Sequence, residues 1–132
     1  MTRLQIYCAA LAFTASAAGA QTRMLRSPSV SATSIVFAYA QNIWVAPRTG
    51  GAARRLTSFQ GATDNPKISP DGKWVAFSGE YGGNVDVYVV SIDGGEPKRL
   101  TWNSAPDEVQ GWTPDGASVL FASTRETDGP AA

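Results

Sequence analysis

Histidine is absent from the 132-residue chain, and the only cysteine, Cys8, lies close to the N-terminus. Nucleophilic catalysis by serine needs a base that accepts the serine proton, usually histidine, and no Gly-x-Ser-x-Gly elbow occurs either. A lone cysteine supports neither an internal disulfide nor a zinc-thiolate site. We therefore predict no catalytic residue, no metal site and no cofactor for this chain.

An excess of charge is also missing, because eleven Lys and Arg residues balance eleven Asp and Glu residues. A nucleic-acid-binding domain needs a basic surplus to neutralise phosphates, so we do not expect nucleic acid as a partner. No apolar stripe with a helical period runs through residues 21–132. The 13 glycines and 8 prolines, together with many β-branched and aromatic residues, indicate short strands joined by tight turns.

The first twenty residues have the pattern of a secretory signal peptide. Arg3 is their only charge, Leu4–Phe13 is an apolar run, and small residues lead to Ala20 with Gln21 next. The apolar run is shorter than the roughly 20 residues that a spanning helix needs. We therefore predict a signal peptide at residues 1–20, cleavage between Ala20 and Gln21, and a periplasmic or secreted protein without stable membrane insertion.

Two alternatives to cleavage are an uncleaved N-terminal anchor and translation that starts at Met24; we favour neither. Cleavage would remove Cys8, so the mature chain would contain no thiol.

An internal repeat is the strongest signal in the sequence. Five markers recur at one offset of 44 residues, and repeats of 40–45 residues are typical of β-propeller blades. Between Phe37 and Phe77 the offset is 40, so about four extra residues lie in the later unit. The matched stretches are Ile43–Val45 with Val87–Val89, Gly50-Gly51 with Gly94-Gly95, Arg55–Thr57 with Arg99–Thr101, Pro70–Gly72 with Pro114–Gly116, and Phe77 with Phe121.

Each repeat indicates four antiparallel strands. Asp-Gly dipeptides tolerate the positive φ angles of tight turns, which explains how the strands connect. We predict an all-β fold of β-propeller blades, with blade 1 at about 26–57, blade 2 at about 65–101 and half of blade 3 at about 108–125. The complete unit places strands at Pro66–Ser69, Trp74–Ser78, Asp86–Ile92 and Pro97–Thr101. The predicted turn residues are Pro70, Asp71, Gly72, Gly94, Gly95, Pro114, Asp115 and Gly116.

About two and a half blades make an incomplete propeller within residues 21–132. Propellers close with typically four to eight blades, and a single blade cannot bury both of its apolar faces. We therefore expect a fragment of a longer chain. A small stand-alone β-sandwich is the less favoured alternative.

The sequence pattern of the repeat resembles that of known families. Ile68–Ser78, Asp86–Val89 and Gly94–Thr101 resemble the propeller repeat of the TolB-like group, which is similar to WD40-type repeats and is also found attached to peptidases. More narrowly, the chain resembles the N-terminal propeller of tricorn protease homologues. The stretches that carry this resemblance are Leu25–Phe37, Asn42–Val45, Gly50–Thr57, Phe77–Tyr88 and Gly111–Gly116.

The tricorn resemblance implies a large serine peptidase whose catalytic residues lie downstream of the propeller, so none can be assigned here. It implies a non-catalytic segment that restricts or guides the access of a peptide or protein substrate, and it is compatible with an oligomeric parent. The signal peptide departs from cytoplasmic family members. Alternatives are a TolB-like periplasmic protein-binding propeller, or the propeller of a prolyl-oligopeptidase-type hydrolase or an amidohydrolase.

Five acidic side chains invite a metal-binding interpretation. Asp71 and Asp115 each bring a single carboxylate to a turn, whereas calcium takes six to eight oxygens, so we predict that each bonds to its own turn. Asp64 and the pair Asp107-Glu108 could bind a metal or a peptide amine, but we favour a solvated inter-blade loop.

Aromatic and basic residues also have structural interpretations. Arg54-Arg55 and Lys98-Arg99 are predicted to block pairing at the edge strands. Ser69 and Lys73 have the wrong spacing for a Ser-x-x-Lys site. The Gly79–Asn84 stretch is predicted to form a hairpin loop and is the preferred contact for a partner. We predict that the four tryptophans lie between blades, Trp102 being the one that could reach a binding surface; they are Trp44, Trp74, Trp102 and Trp112.

Overall fold

The computed structural model describes residues 24–58 and 60–125, so the predicted signal peptide, with Ala20 and Gln21, lies outside the described residues. No helix occurs in the described ranges, and therefore none that could cross a membrane. The strands are β1 (Arg26–Val30), β2 (Ser34–Tyr39), β3 (Asn42–Pro47), β4 (Arg54–Arg55), β5 (Thr63–Ile68), β6 (Trp74–Tyr81), β7 (Asn84–Ser91), β8 (Lys98–Arg99), β9 (Asp107–Trp112) and β10 (Val119–Ser123).

These strands form three antiparallel sheets in which each strand pairs with the next one along the chain. The first sheet has the order β1-β2-β3-β4, the second β5-β6-β7-β8, and β9 pairs with β10 in the third. Two four-stranded meanders and a two-stranded sheet confirm the predicted all-β fold of partial propeller blades. We call the three sheets blade 1, blade 2 and the half-blade.

The 44-residue repeat corresponds to repeated hydrogen bonds. In blade 1 the amide of Ile43 donates to Thr57 Oγ1 over 3.0 Å, and in blade 2 the amide of Val87 donates to Thr101 Oγ1 over the same 3.0 Å. Both threonines follow the two-residue outermost strands, β4 and β8. The hydroxyl therefore takes the place of a backbone acceptor where the strand ends, which explains why the sequence repeats a threonine there.

Apolar side chains join blade 1 to blade 2. Because side chains alternate along a strand, one set of blade 1 side chains points towards blade 2. Side chains of β6 and β7 pack against this set. Leu56, which follows β4, completes this cluster, and Leu100 packs at the corresponding place between blade 2 and the half-blade. The buried cluster between the two blades consists of Val36, Ala38, Ile43, Val45, Leu56, Val75, Phe77, Tyr88 and Val90.

The β6–β7 hairpin differs from the predicted loop at Gly79–Asn84. β6 continues to Tyr81 and β7 begins at Asn84, so only Gly82 and Gly83 form the turn, with φ angles of +68° and +91°. The corresponding turn of blade 1, Ala40-Gln41, also has two residues. The four extra residues of blade 2 therefore add two residues to each strand, and the hairpin projects further than its counterpart.

The prediction that the tryptophans lie between blades is wrong for Trp74, whereas Trp102, the one predicted to be able to reach a surface, is exposed. Trp74 is 46% exposed and Trp102 is 70% exposed, whereas Trp44 and Trp112 are partly buried. The Nε1 atom of Trp112 donates to the backbone oxygen of Lys67 over 2.8 Å and so ties the half-blade to blade 2. Trp74 begins β6 directly after an exposed turn, which places its ring at the end of the sheet.

Candidate functional site

The predicted Pro-Asp-Gly turns lie at one end of the sheets. In blade 2, Ser69 Oγ donates to Asp71 Oδ1 over 2.6 Å, and the Lys73 amide donates to the same oxygen over 3.1 Å. These hydrogen bonds, led by the one from Ser69, hold the Asp71 pKa below its usual value. Gly72 closes the turn with φ of +75°, a conformation that glycine adopts without strain.

The half-blade repeats this turn 44 residues later. Thr113 Oγ1 donates to Asp115 Oδ1 over 2.5 Å, the Ala117 amide donates to the same atom over 3.0 Å, and Gly116 has φ of +70°. The hydrogen bond from Thr113 is the main cause that lowers the pKa of Asp115. Each aspartate therefore uses one carboxylate oxygen to accept hydrogen bonds within its own turn. The residues that the structure describes place no group of three metal-binding side chains at either turn.

The two remaining predicted turn glycines have positive φ angles, and the predicted inter-blade acidic residues lie in strands. Gly94 and Gly95 follow β7 with φ angles of +104° and +119°. Asp64 and Asp107 do not lie in a solvated loop, because they belong to β5 and β9. Within residues 24–58 and 60–125 no three His, Cys, Asp or Glu side chains lie close enough together to hold a metal ion.

The opposite end of the sheets carries the projecting β6–β7 hairpin. Its Glu80 amide donates to the backbone oxygen of Ala62 over 2.8 Å, and Asn84 Nδ2 donates to the backbone oxygen of Asn103 over 2.6 Å. The hairpin is therefore bound to the inter-blade segments on both sides of blade 2. It also contributes to a cavity of about 430 Å³, lined by Gln41, Gln60, Gly61, Ala62, Glu80, Tyr81, Gly82 and Gly83.

A buried carboxylate lies beneath this hairpin. Asp86 has no exposed surface, and its Oδ2 atom accepts a hydrogen bond of 2.6 Å from Arg99 Nη2. Its Oδ1 atom accepts from Thr101 Oγ1 over 3.2 Å. Arg99 also donates through Nε to the backbone oxygen of Thr101 and lies 6.0 Å from the centre of the exposed Trp102 ring. Arg99 thus holds a buried charge, beyond the predicted role of a charged edge residue.

A second buried carboxylate belongs to the half-blade. Asp107 is fully buried and forms an ion pair with Arg125, whose side chain is about one third exposed. Burial acts to raise the pKa of Asp107, but hydrogen bonding by Arg125, Ser123 and Thr101 outweighs it and leaves the pKa below the ordinary 3.8. The carboxylate is therefore charged at neutral pH and structural in its contacts.

The lowered pKa of Asp107 predicts a pH dependence of stability. A carboxylate with a depressed folded pKa stabilises the fold above its unfolded pKa, here near 3.8, and this contribution is lost as the pH falls through the lower folded value. The Asp107→Asn variant should be less stable than the natural chain at about pH 6, and the difference should shrink towards about pH 3. Urea unfolding at several pH values measures this; a constant difference would contradict it.

Asp71 and Asp115, whose pKa values are also lowered, are present in both proteins of that comparison, so their titration cancels.

Comparisons with known proteins agree with this architecture. Residues 22–131 match the family described as the tricorn protease N-terminal beta propeller domain. The chain belongs to this family. It is 40% identical over 101 residues to tricorn protease homolog 1 of Streptomyces coelicolor, an alignment that covers 76% of this chain and 9% of that protein. The chain therefore spans about a tenth of this relative's length.

Two solved structures share the fold of this tricorn-family chain. The crystal structure of the tricorn protease superimposes with a TM-score of 0.63 and 27% identity, over 70% of this chain and 10% of that one. The structure of TolB from Acinetobacter baumannii superimposes with a TM-score of 0.64 and 30% identity, over 76% of this chain and 27% of that one. Both kinds of propeller named by the sequence resemblance are therefore structural neighbours.

Sequence reasoning missed the buried Asp86–Arg99 pair. The repeat contained a signal for it, because Asn42 occupies the position 44 residues before Asp86. The Asn42 Oδ1 atom accepts from Thr57 Oγ1 over 3.1 Å, as Asp86 Oδ1 accepts from Thr101. One repeat position is Asn in blade 1 and Asp in blade 2, and a threonine recurs 15 residues after it in both blades. This combination indicates a polar contact within the blade.

Proposed function

We propose that this chain is a non-catalytic propeller segment of an exported tricorn-like serine peptidase, where it restricts or guides the access of peptides to a catalytic region elsewhere. The match of residues 22–131 to the tricorn N-terminal propeller family carries the proposal. The absence of histidine from the sequence supports a non-catalytic role, because the usual base for a serine nucleophile is missing. The partner is a peptide or protein substrate.

The projecting β6–β7 hairpin is the element that we assign to peptide contact. It reaches two residue pairs beyond the blade 1 hairpin, through Glu80 paired with Val85 and Tyr81 paired with Asn84. The Tyr81 side chain is exposed and also lines a second cavity of about 520 Å³ beside Tyr88 and Arg99. An exposed aromatic residue on a hairpin that is fixed at both sides can contact passing peptide without large loss of its own conformational freedom.

Shortening this hairpin tests the access role. Deletion of Glu80, Tyr81, Asn84 and Val85 leaves the Gly82-Gly83 turn and gives β6–β7 the length of β2–β3. In a polypeptide that joins this chain to a tricorn-type peptidase region, the deletion should change the ratio of kcat/KM values for long and short peptides. Lys73→Ala, at the other end of the blade, is the control. An unchanged ratio, or peptide hydrolysis by the purified 132-residue chain alone, would contradict the proposal.

A TolB-like protein-binding propeller is the second candidate function. The 30% identity and TM-score of 0.64 with Acinetobacter baumannii TolB favour it. This candidate predicts that the intact gene product binds a protein partner stably and has no peptidase activity. Peptide hydrolysis by that product would decide for the tricorn-like function.

The export of the protein can be tested separately. Residues 1–25 fused to an alkaline phosphatase that is active only outside the cytoplasm should give active enzyme with a mature N-terminus at Gln21, because the segment has the signal-peptide pattern. Leu11→Arg places a charge in the apolar run and should abolish phosphatase activity. Equal activity from both fusions, or a retained leader, would refute the prediction.

A further inference from the structure

A cavity between blade 1 and blade 2 is the feature from which we draw a further inference. Its volume is about 520 Å³, within the roughly 300–1,000 Å³ that is typical of ligand-binding pockets. Leu56 and Ser58, which follow β4, line it on the blade 1 side, and side chains from β6 to β8 line it on the blade 2 side. Both blades contribute four described strands, so strands beyond blade 2 are not needed to form the cavity.

Some lining residues are explained by the blade fold alone, because they recur at the 44-residue offset. Leu56 has its counterpart in Leu100, and both pack in the apolar clusters between sheets. Arg99 has its counterpart in Arg55, and its charge is paired with the buried carboxylate of Asp86 over 2.6 Å. These residues therefore give no indication of a ligand.

Two other lining residues, Tyr81 and Glu96, are not explained by the repeat. Tyr81 lies in the outermost pair of the longer β6–β7 hairpin and is 57% exposed, and Glu96 corresponds to Ala52 of blade 1 and is also exposed. Among the residues that the structure describes, Glu96 forms no ion pair. The cavity thus carries an aromatic ring and a carboxylate that the architecture of a blade does not require.

These side chains together favour a positively charged ligand. Asp86 compensates the charge of Arg99, so the carboxylate of Glu96 leaves the lining with an excess of negative charge. Tyr88 supplies a second ring, which is nearly buried and stacks on Phe77. A lysine ammonium or an arginine guanidinium is attracted to the face of a tyrosine ring within about 6 Å of its centre.

We propose that the cavity binds the side chain of a lysine or arginine residue of a peptide, with the cation between the tyrosine rings and the Glu96 carboxylate. Tyr81 belongs both to the cavity and to the hairpin that we assign to peptide contact. The bound side chain is therefore part of the peptide that passes the hairpin, and in this respect the inference rests on the proposed function. It adds a preference for basic residues in that peptide, imposed outside the catalytic region.

A capped tripeptide with arginine between two alanines is the probe. Its control is the same peptide with citrulline, which keeps the shape of arginine but has no charge. Titration of the full 132-residue chain, followed by NMR, gives the affinities and locates the site. The arginine peptide should bind about three- to tenfold more tightly than the citrulline peptide, because only a cation gains from the rings and the carboxylate. Amide shifts should be concentrated at Leu56, Tyr81 and Glu96.

Variants of the chain test the assigned side chains. Glu96→Gln removes the charge but keeps the shape of the side chain, and it should lose most of the preference for arginine over citrulline. Asp93→Asn is the matched control and should keep that preference, because Asp93 is an exposed acid of the same β7–β8 segment but is not among the residues that line the cavity. Tyr81→Leu should weaken binding of the arginine peptide about two- to threefold.

Phe59 follows Ser58 in the sequence and lies outside the described residues, so a Phe59→Ala chain completes the test. This variant should bind the arginine peptide with unchanged affinity. Tighter binding would mean that a side chain of the chain itself competes for the cavity, and this would overturn the proposal of a peptide ligand.

Absence of binding, equal affinities for the arginine and citrulline peptides, shifts away from the cavity, or equal effects of Glu96→Gln and Asp93→Asn would also overturn it. No peptidase takes part in these titrations, so their failure and the failure of the proposed function are distinguishable. If the arginine peptide binds as expected but the hairpin deletion leaves the kcat/KM ratio unchanged, only the access role is contradicted.

Discussion

Replacing Phe77 by alanine should lower the free energy of unfolding by about 3–5 kcal/mol, the range for removing a fully buried phenylalanine. Phe77 lies in the cluster between blade 1 and blade 2 and stacks on Tyr88, so both blades lose contacts when its ring is removed. Urea denaturation followed by tryptophan fluorescence measures the change. The variant should also show a less cooperative transition, because the two blades share this cluster.

Phe37→Ala is the matched control, because Phe37 occupies the corresponding place in blade 1, where no described sheet covers it. The Phe37 side chain is only partly buried, and its replacement should cost about 1–2 kcal/mol. Equal losses for the two variants would contradict the packing of blade 1 against the Phe77 face of blade 2.

Asp86→Ala should lower the free energy of unfolding by about 2–4 kcal/mol. The substitution leaves Arg99 without its carboxylate and Thr101 without one acceptor, and removal of one partner from a buried pair typically costs about 3–5 kcal/mol. We place the expected value somewhat lower, because the Arg99 side chain is about one third exposed and water can solvate its charge.

Asp86→Asn is the matched control, because asparagine occupies the corresponding position, Asn42, in blade 1. Asn42 makes the corresponding contact with Thr57 through its amide oxygen, so the asparagine variant should keep the hydroxyl contact and lose chiefly the charge. We expect a loss of about 1 kcal/mol for it. If the asparagine variant is as unstable as the alanine variant, the charge pair rather than the hydrogen bond from Thr101 holds this part of the blade.

The repeat allowed most of the architecture to be predicted from the sequence. Alternating apolar residues and the recurring Asp-Gly and Gly-Gly turns follow from local physical chemistry, and the 44-residue offset fixes which strands are equivalent. The sheet order and the equivalent packing of Leu56 and Leu100 agree with it. Short-range patterns were sufficient because each strand pairs with its neighbour in sequence.

Two of the errors have identifiable physical causes. The first is that sequence spacing gives the length of an insertion but not its conformation. The four extra residues around Gly82 could extend either a loop or two strands, and the paired residues Tyr81 and Asn84 show that they extend strands. The second is that an aspartate near an inter-blade segment looks solvated until the arginine that faces it is known. Arg125 lies 18 residues from Asp107, a separation that no local pattern connects.

The exchange of Asn42 for Asp86 within one repeated geometry separates backbone architecture from electrostatic character. The threonine contact is made by an amide in blade 1 and by a carboxylate in blade 2, and the carboxylate also pairs with Arg99. Successive units can therefore differ in local charge without any change in their strands. A protein assembled from such units can vary its electrostatic potential from one sector to the next by single substitutions at one position.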